Sequence, residues 1–378
     1  MKNEYLYDSA YFTSLETGWT SLSFPIISKT LIKSLQSLTP KPENYVLDLG
    51  CGSGVYESIL SSTGCHVIGI DYAVDGLTLG PSGCEMSRIV ADACHLPIKN
   101  EQLYIIFSTE VLEHILDTER AIGEMYRTLA DGGRIILTTT LYYSAINTYL
   151  SQAIKDKHSF KMIAVNLVKY FAGYFSSQVQ QQFIQEWCFT ILGGHYHGFK
   201  PSHLKKIIRN AGFTIVESRP LYVFEPIGFS RHTTVRGVFR ELSFPVAVIA
   251  TPIILLIKVL NRFLKLLGMG ANNIFLVCQK PNTASSYNDV LTSKVPLRKN
   301  IIDLLCCPTT KQSVRFNSEE SFVSTNFLSD TDRQECNLVN RQHASGVLVR
   351  EDGLISYKVC NGIPIMTESH EIRTSSQV

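Results

Sequence analysis

Three short stretches place carboxylates and small residues where a ligand could use them. In VLDLGCGSG (46–54), Asp48 is followed by Gly50, Cys51, Gly52 and Gly54. Asp71 and Tyr72 close the run HVIGIDY, and Ala91, Asp92 and Ala93 stand together in VADACHLP. Glycine has no Cβ, so a turn rich in it lets a ligand come close to the backbone. The dinucleotide fingerprint G-x-G-x-x-G would need a third glycine where Val55 stands. An acid at Asp48 suits a cationic ligand group better than a pyrophosphate.

S-adenosylmethionine offers such a group: it carries an amino group and a sulfonium, and no phosphate. On this reading Asp48 holds the methionine end, and the turn from Gly50 through Cys51 and Gly52 to Gly54 lines the amino acid and ribose. Asp71, with Tyr72 beside it, follows at roughly the 20-residue spacing at which an acid takes both ribose hydroxyls. Asp92 accepts the adenine amino group, with room for the ring at Ala91 and Ala93. Thr109 and Glu110, at the end of the fourth apolar run, line the cofactor pocket.

Methyl transfer from a sulfonium is an in-line displacement, for which alignment is the main requirement. A base is needed when the acceptor is a hydroxyl or a protonated amine, and histidine is the commonest supplier. His114 closes STEVLEH, where Glu110, Glu113 and His114 are spaced i, i+3, i+4 and share a face if the segment is helical. Such a trio can bind a divalent cation or simply line the pocket, and the second is expected here, with no metal. His195 and His197, in GGHYHGFKP, are the other candidates for a base or an acceptor contact. They can equally be ordinary loop histidines.

These residues need a frame. Strands are predicted at 45–50, 66–71, 87–93, 103–109 and 133–141, with helices at 55–62 and 121–133, the latter closed by a glycine stop. A helix over 201–213 and strands at 213–218 and 272–280 complete the set. Strands separated by helices imply βαβ units and a doubly wound α/β domain around a mostly parallel sheet. The polar, turn-rich 282–299 reads as a linker, and the remainder is short and β-like.

Taken in order, VLDLGCGSG, GID, VADACHLP, STEVLEHI and LADGGRIILTT resemble the class I S-adenosylmethionine-dependent methyltransferases. The resemblance is close over about residues 40–140 and resumes at 198–213. It implies a seven-stranded Rossmann-like sheet, S-adenosylmethionine as cofactor and a methyltransferase activity. One departure is Leu103-Tyr104, where the family usually has Phe-Asp. The C-terminal stretches 300–316 and 353–366 resemble the small zinc-ribbon activators of RNA and protein methyltransferases. A structural zinc takes four Cys or His ligands, usually in close pairs. Here Cys307-Pro308 keeps one ligand, Thr310 replaces its partner, Cys360 is single, and Cys336 and His343 are poorly spaced. A ribbon-like β fold without metal is expected, packed on the catalytic domain as a built-in partner or as a stabilising module.

The expected layout is a cap segment at 1–43, a methyltransferase domain at 44–281 with an apolar insertion at about 224–271, the linker, the ribbon-like domain at 300–368 and a tail at 369–378. Within the insertion, 244–269 reads FPVAVIATPIILLIKVLNRFLKLLGM. Lys258, Arg262 and Lys265 fall on one helical face and apolar residues cover most of the rest. That pattern suits the surface of an anionic bilayer, or a lid packed on the catalytic domain. With 35 basic and 33 acidic residues, and no basic stripe in the catalytic half, the charge counts against a nucleic-acid partner. The start of the chain lacks a secretory leader and the ten cysteines form no framework, which predicts a cytoplasmic setting, peripheral on the inner face of the membrane. The expected acceptor is small or lipid-linked and amphipathic, such as a glycan intermediate, a quinone or a polyketide. The rivals are a tRNA or protein acceptor, and a silent cofactor-binding scaffold.

Overall fold

The computed structural model describes residues 19–38, 40–79, 86–141, 198–221, 255–256, 259, 262–263, 271, 273–282, 301–318, 346–360, 363–367 and 372–373. Seven strands form the main sheet: β1 (Tyr45–Leu49), β2 (His66–Asp71), β3 (Ser87–Val90), β4 (Leu103–Thr109), β5 (Leu129–Thr140), β6 (Thr214–Leu221) and β7 (Asn273–Gln279). Their order is β3-β2-β1-β4-β5-β7-β6. β1 to β5 run parallel, and β7 runs antiparallel to both β5 and β6. Every residue of β1 is buried, as expected of a central parallel strand covered on both faces.

The helices are α1 (Trp19–Leu38), α2 (Glu57–Ser61), α3 (Val74–Leu79), α4 (Thr118–Thr128) and α5 (Pro201–Asn210). In α4 the carboxylate of Asp117 accepts the Arg120 amide at 3.0 Å, and Ala121, Ile122, Met125 and Thr128 turn inward. α5 begins on Pro201, whose missing N–H costs nothing in the first turn, and buries Leu204, Ile207 and Ile208.

Two predicted boundaries are corrected. The helix placed at 121–133 starts earlier and ends at Thr128, because Leu129 turns extended and pairs with Leu103. The residues between Leu129 and Arg134 form an irregularity in β5, and Gly132 takes φ 75° there. The glycines thus serve a strand defect rather than a helix stop. The strand placed at 87–93 ends at Val90, since Asp92 accepts the Cys94 amide at 2.8 Å and bends the chain into a single 3₁₀ turn.

A second, antiparallel sheet is built from β8 (Val314–Ser318), β9 (Gly346–Arg350), β10 (Ile355–Cys360), β11 (Ile363–Pro364) and β12 (Ile372–Arg373). It docks on the first through backbone and side chains. The Lys99 amide donates to Leu304 O at 2.9 Å, Cys306 to Pro97 O at 3.0 Å and Met366 to Val90 O at 2.8 Å. Lys311 Nζ reaches Glu124 at 2.8 Å. Leu304, Leu305, Cys307 and Tyr357 share one apolar core with Leu96, Ile98 and the strands of the main sheet.

β6 and β7 close on the pair Leu221 and Asn273, and Asn273 lies opposite Thr140 at the end of β5. The connection of residues 222–272 therefore leaves the sheet at the end where the parallel strands terminate.

Candidate cofactor crevice

That end is where an open α/β sheet binds its ligands. After β1 the chain turns through Gly50, Gly52 and Gly54 with φ of 76°, 50° and 83°, a left-handed region that favours glycine. A Cβ on Gly50 would meet Val111 Cγ2 at 2.2 Å, and one on Gly54 would meet Glu57 Oε2 at 2.8 Å. These two glycines are thus required by the protein's own packing as well as by any ligand. Cys51 between them is buried.

Asp71 ties the turn to β2. Its Oδ2 accepts the Gly52 amide at 2.8 Å and its Oδ1 the Ala73 amide at 2.9 Å. Burial raises its pKa, opposed by these amides and by His114 nearby. A carboxylate has about four lone-pair sites, so capacity remains for ribose hydroxyls. Tyr72, the next residue, is exposed.

Asp48, one residue before the end of β1, is buried, and its Oδ2 has no hydrogen-bond partner. Burial, with Asp71 and Glu57 close by, pushes its carboxyl up to about 8. A buried acid with acidic neighbours fits a ligand that brings a positive charge, as the amino group and sulfonium of S-adenosylmethionine do. At the next strand, Ala91 is buried with its amide on Asp71 O at 2.9 Å, and Ala93 is partly buried. Asp92 spends one oxygen on Cys94 N and faces His95 with the other at 3.1 Å.

The trio after β4 does not lie on one helical face. Glu110 takes φ 55°, and only Leu112–His114 coil, as a short 3₁₀ turn. Glu110 and Glu113 nevertheless meet as a hydrogen-bonded pair. Glu110 accepts from Thr138 Oγ1 at 2.8 Å and from Asn273 Nδ2 at 2.5 Å. Glu113 accepts from Thr139 Oγ1 at 2.7 Å and is fully buried. Burial raises both carboxyls, Glu110 well above the usual range with Glu113 adding to it. His114 stands instead on the Asp71 side. Thr109 Oγ1 is buried without a hydrogen-bond partner. Among the described residues, no three His, Cys, Asp or Glu side chains are grouped to hold a metal ion. His195 and His197 lie outside the described residues, as do Cys336 and His343.

Three residues of the crevice were not singled out from the sequence. Glu57, at the start of α2, accepts the Met86 amide and pairs with Arg88 at 3.1 Å, both far along the chain. Tyr56 packs edge-on against Phe107 with ring centres 5.1 Å apart and stands in the field of Glu110 and Asp48. Asn273 holds Glu110 from the opposite end of the chain.

The methyltransferase domain family matches residues 26–218, more than half of the chain, and the chain belongs to that family. S-adenosylmethionine is the cofactor its crevice takes. The chain is 33% identical to probable tRNA methyltransferase 9B of Mus musculus over 131 residues, 34% of this chain and 26% of that protein. It is 25% identical to demethylmenaquinone methyltransferase of Clavibacter sepedonicus over 195 residues, 50% of this chain and 74% of that protein. The matches to the mouse, cattle and human tRNA methyltransferase relatives span 26%, 21% and 28% of their lengths. A solved structure of Haemonchus contortus phosphoethanolamine N-methyltransferase 2 with S-adenosyl-L-methionine is similar at TM-score 0.43 and 16% identity, over 74% of this chain and 59% of that one.

Proposed function

We propose that the chain methylates a small or lipid-linked amphipathic acceptor with S-adenosylmethionine. The observation that carries the methyl-donor half is the buried, unpartnered Asp48 oxygen beneath a glycine turn that Asp71 holds in place. The cofactor, when bound, supplies an electrophilic methyl on a sulfonium. Asp48 holds its cationic end, Asp71 the ribose, and Asp92 with Ala91 and Ala93 the adenine. Glu110, fixed by Thr138 and Asn273, and Tyr56 form a polar wall at the crevice. His114, His195 and His197 are the candidate bases for a hydroxyl or amine acceptor.

Support for the acceptor class is the near-neutral charge of +2 and the apolar insertion, which leaves the sheet beside Asn273. The match to a tRNA methyltransferase favours RNA as a second reading. The C-terminal sheet, docked on the main one, takes the place of a separate activating partner in either case. Incubation of the full chain with methyl-labelled S-adenosylmethionine and fractionated cell extract tests the choice. Label is expected in the organic-soluble fraction. Label in tRNA or protein overturns the acceptor, and cofactor binding with no label in any fraction favours the silent scaffold.

A further inference from the structure

The connection between β6 and β7 has an unusual surface. Leu255, Leu256, Val259, Arg262 and Phe263 are helical. At 100° per residue the four apolar positions fall within about a quarter of a turn. Leu255 is 49% exposed, Leu256 68%, Val259 67% and Phe263 55%. These four side chains are turned outward. Clustered exposed apolar side chains mark a surface that meets something other than water.

The charges beside the face identify that partner. Arg262 is exposed at its border. In the sequence Lys258 stands four residues before Arg262 and Lys265 three after it, and 244–269 contains no Asp or Glu. No helix among the described residues is long and apolar enough to cross a membrane. We propose that this face docks the protein on the surface of an anionic lipid bilayer, its apolar side chains entering the acyl boundary and its basic row lying against the headgroups. The segment leaves the sheet at Leu221 and returns at Asn273, whose amide holds Glu110.

Flotation of the full chain with phosphatidylserine–phosphatidylcholine vesicles tests this without using activity. The wild type is expected to float at low salt, and to stay down with pure phosphatidylcholine or at high salt. Changing Lys258→Glu, Arg262→Glu and Lys265→Glu together should weaken partitioning on the order of a hundredfold. Leu256→Asp with Phe263→Asp should abolish it with the charges intact. Both variants should keep wild-type S-adenosylmethionine affinity in calorimetry, because the changed residues lie outside the crevice. A wild type that stays down, or one that floats equally on both vesicles, overturns the proposal. So does an apolar-face variant that floats unchanged, or one whose loss is explained by a wild-type dimer turning monomeric. None of these results bears on the methyl donor, which the calorimetry reads separately.

Discussion

Asp48 and Cys307 are both buried polar groups, and what surrounds them differs. Asp48 keeps one carboxylate oxygen without a partner, among other acids. Cys307, at the turn before β8, is served by the protein itself. Its Sγ accepts the Thr310 amide at 3.4 Å and lies 3.1 Å from the Tyr357 hydroxyl. Burial raises this thiol, yet the bonds from Thr310 and Tyr357 outweigh it and the net shift is downward. An unsatisfied buried group stores a free-energy penalty that a ligand can relieve, whereas a saturated one contributes to the fold alone. Asp48 keeps capacity for a group from outside, and the Cys307 turn is complete from within.

The largest expected effect tests whether the crevice is framed by its own fold. Glu57→Ala leaves Arg88 with its buried partner gone, and should destabilise by about 3–5 kcal/mol in urea melts. An effect below about 1 kcal/mol would mean that water replaces Glu57 freely. Asp71→Ala should weaken S-adenosylmethionine binding by about 1.5–3 kcal/mol in calorimetry, with the fold intact by circular dichroism. It should also loosen the Gly52 turn, visible as faster amide exchange there. Unchanged affinity would remove Asp71 from the ribose.

On the other side of the comparison, Cys307→Ala should lower stability by about 1–2 kcal/mol and leave cofactor affinity unmoved. The purified protein should hold less than stoichiometric zinc, with a Tm indifferent to chelator. About one zinc per chain by elemental analysis would make the ribbon turn a ligand site after all. A last effect, spread over several pH units, is the pH dependence of Asp48. Its folded-state pKa stands at about 8 against 3.8 ordinarily, so the folded protein keeps a proton that the unfolded chain loses. Its contribution to stability without cofactor is then present at low pH and declines as pH rises from 3.8 toward 8. The cofactor's cation draws the proton off, so binding should tighten as pH rises toward 8, by no more than tenfold per pH unit. Asp48→Asn should flatten both profiles, and a profile that survives the substitution assigns the proton elsewhere.

β2 and β4 were legible to the residue because each is an apolar run bounded by turn residues. The placement of Asp48, Asp71 and Asp92 was equally legible, since each sits within about two residues of the end of a strand. What escaped was long-range. Glu57 finds Arg88 31 residues away, and Asn273 finds Glu110 163 residues away, with no local pattern to announce either. The helical spacing of Glu110, Glu113 and His114 misled because one left-handed residue after β4 outweighs a periodicity. The strand start at Leu129 was hidden by glycines that read as a helix stop.

β3 lies at the end of the main sheet's strand order, and its outer backbone is met by Ile365 and Met366, the latter donating to Val90 O. An unpaired outer strand is a template on which other chains can add. The C-terminal module is thus a stopper against self-association as well as a packing partner. A chain ending at residue 300 should retain its core strands yet form concentration-dependent oligomers, seeded where Ile89 and Val90 lose their cover.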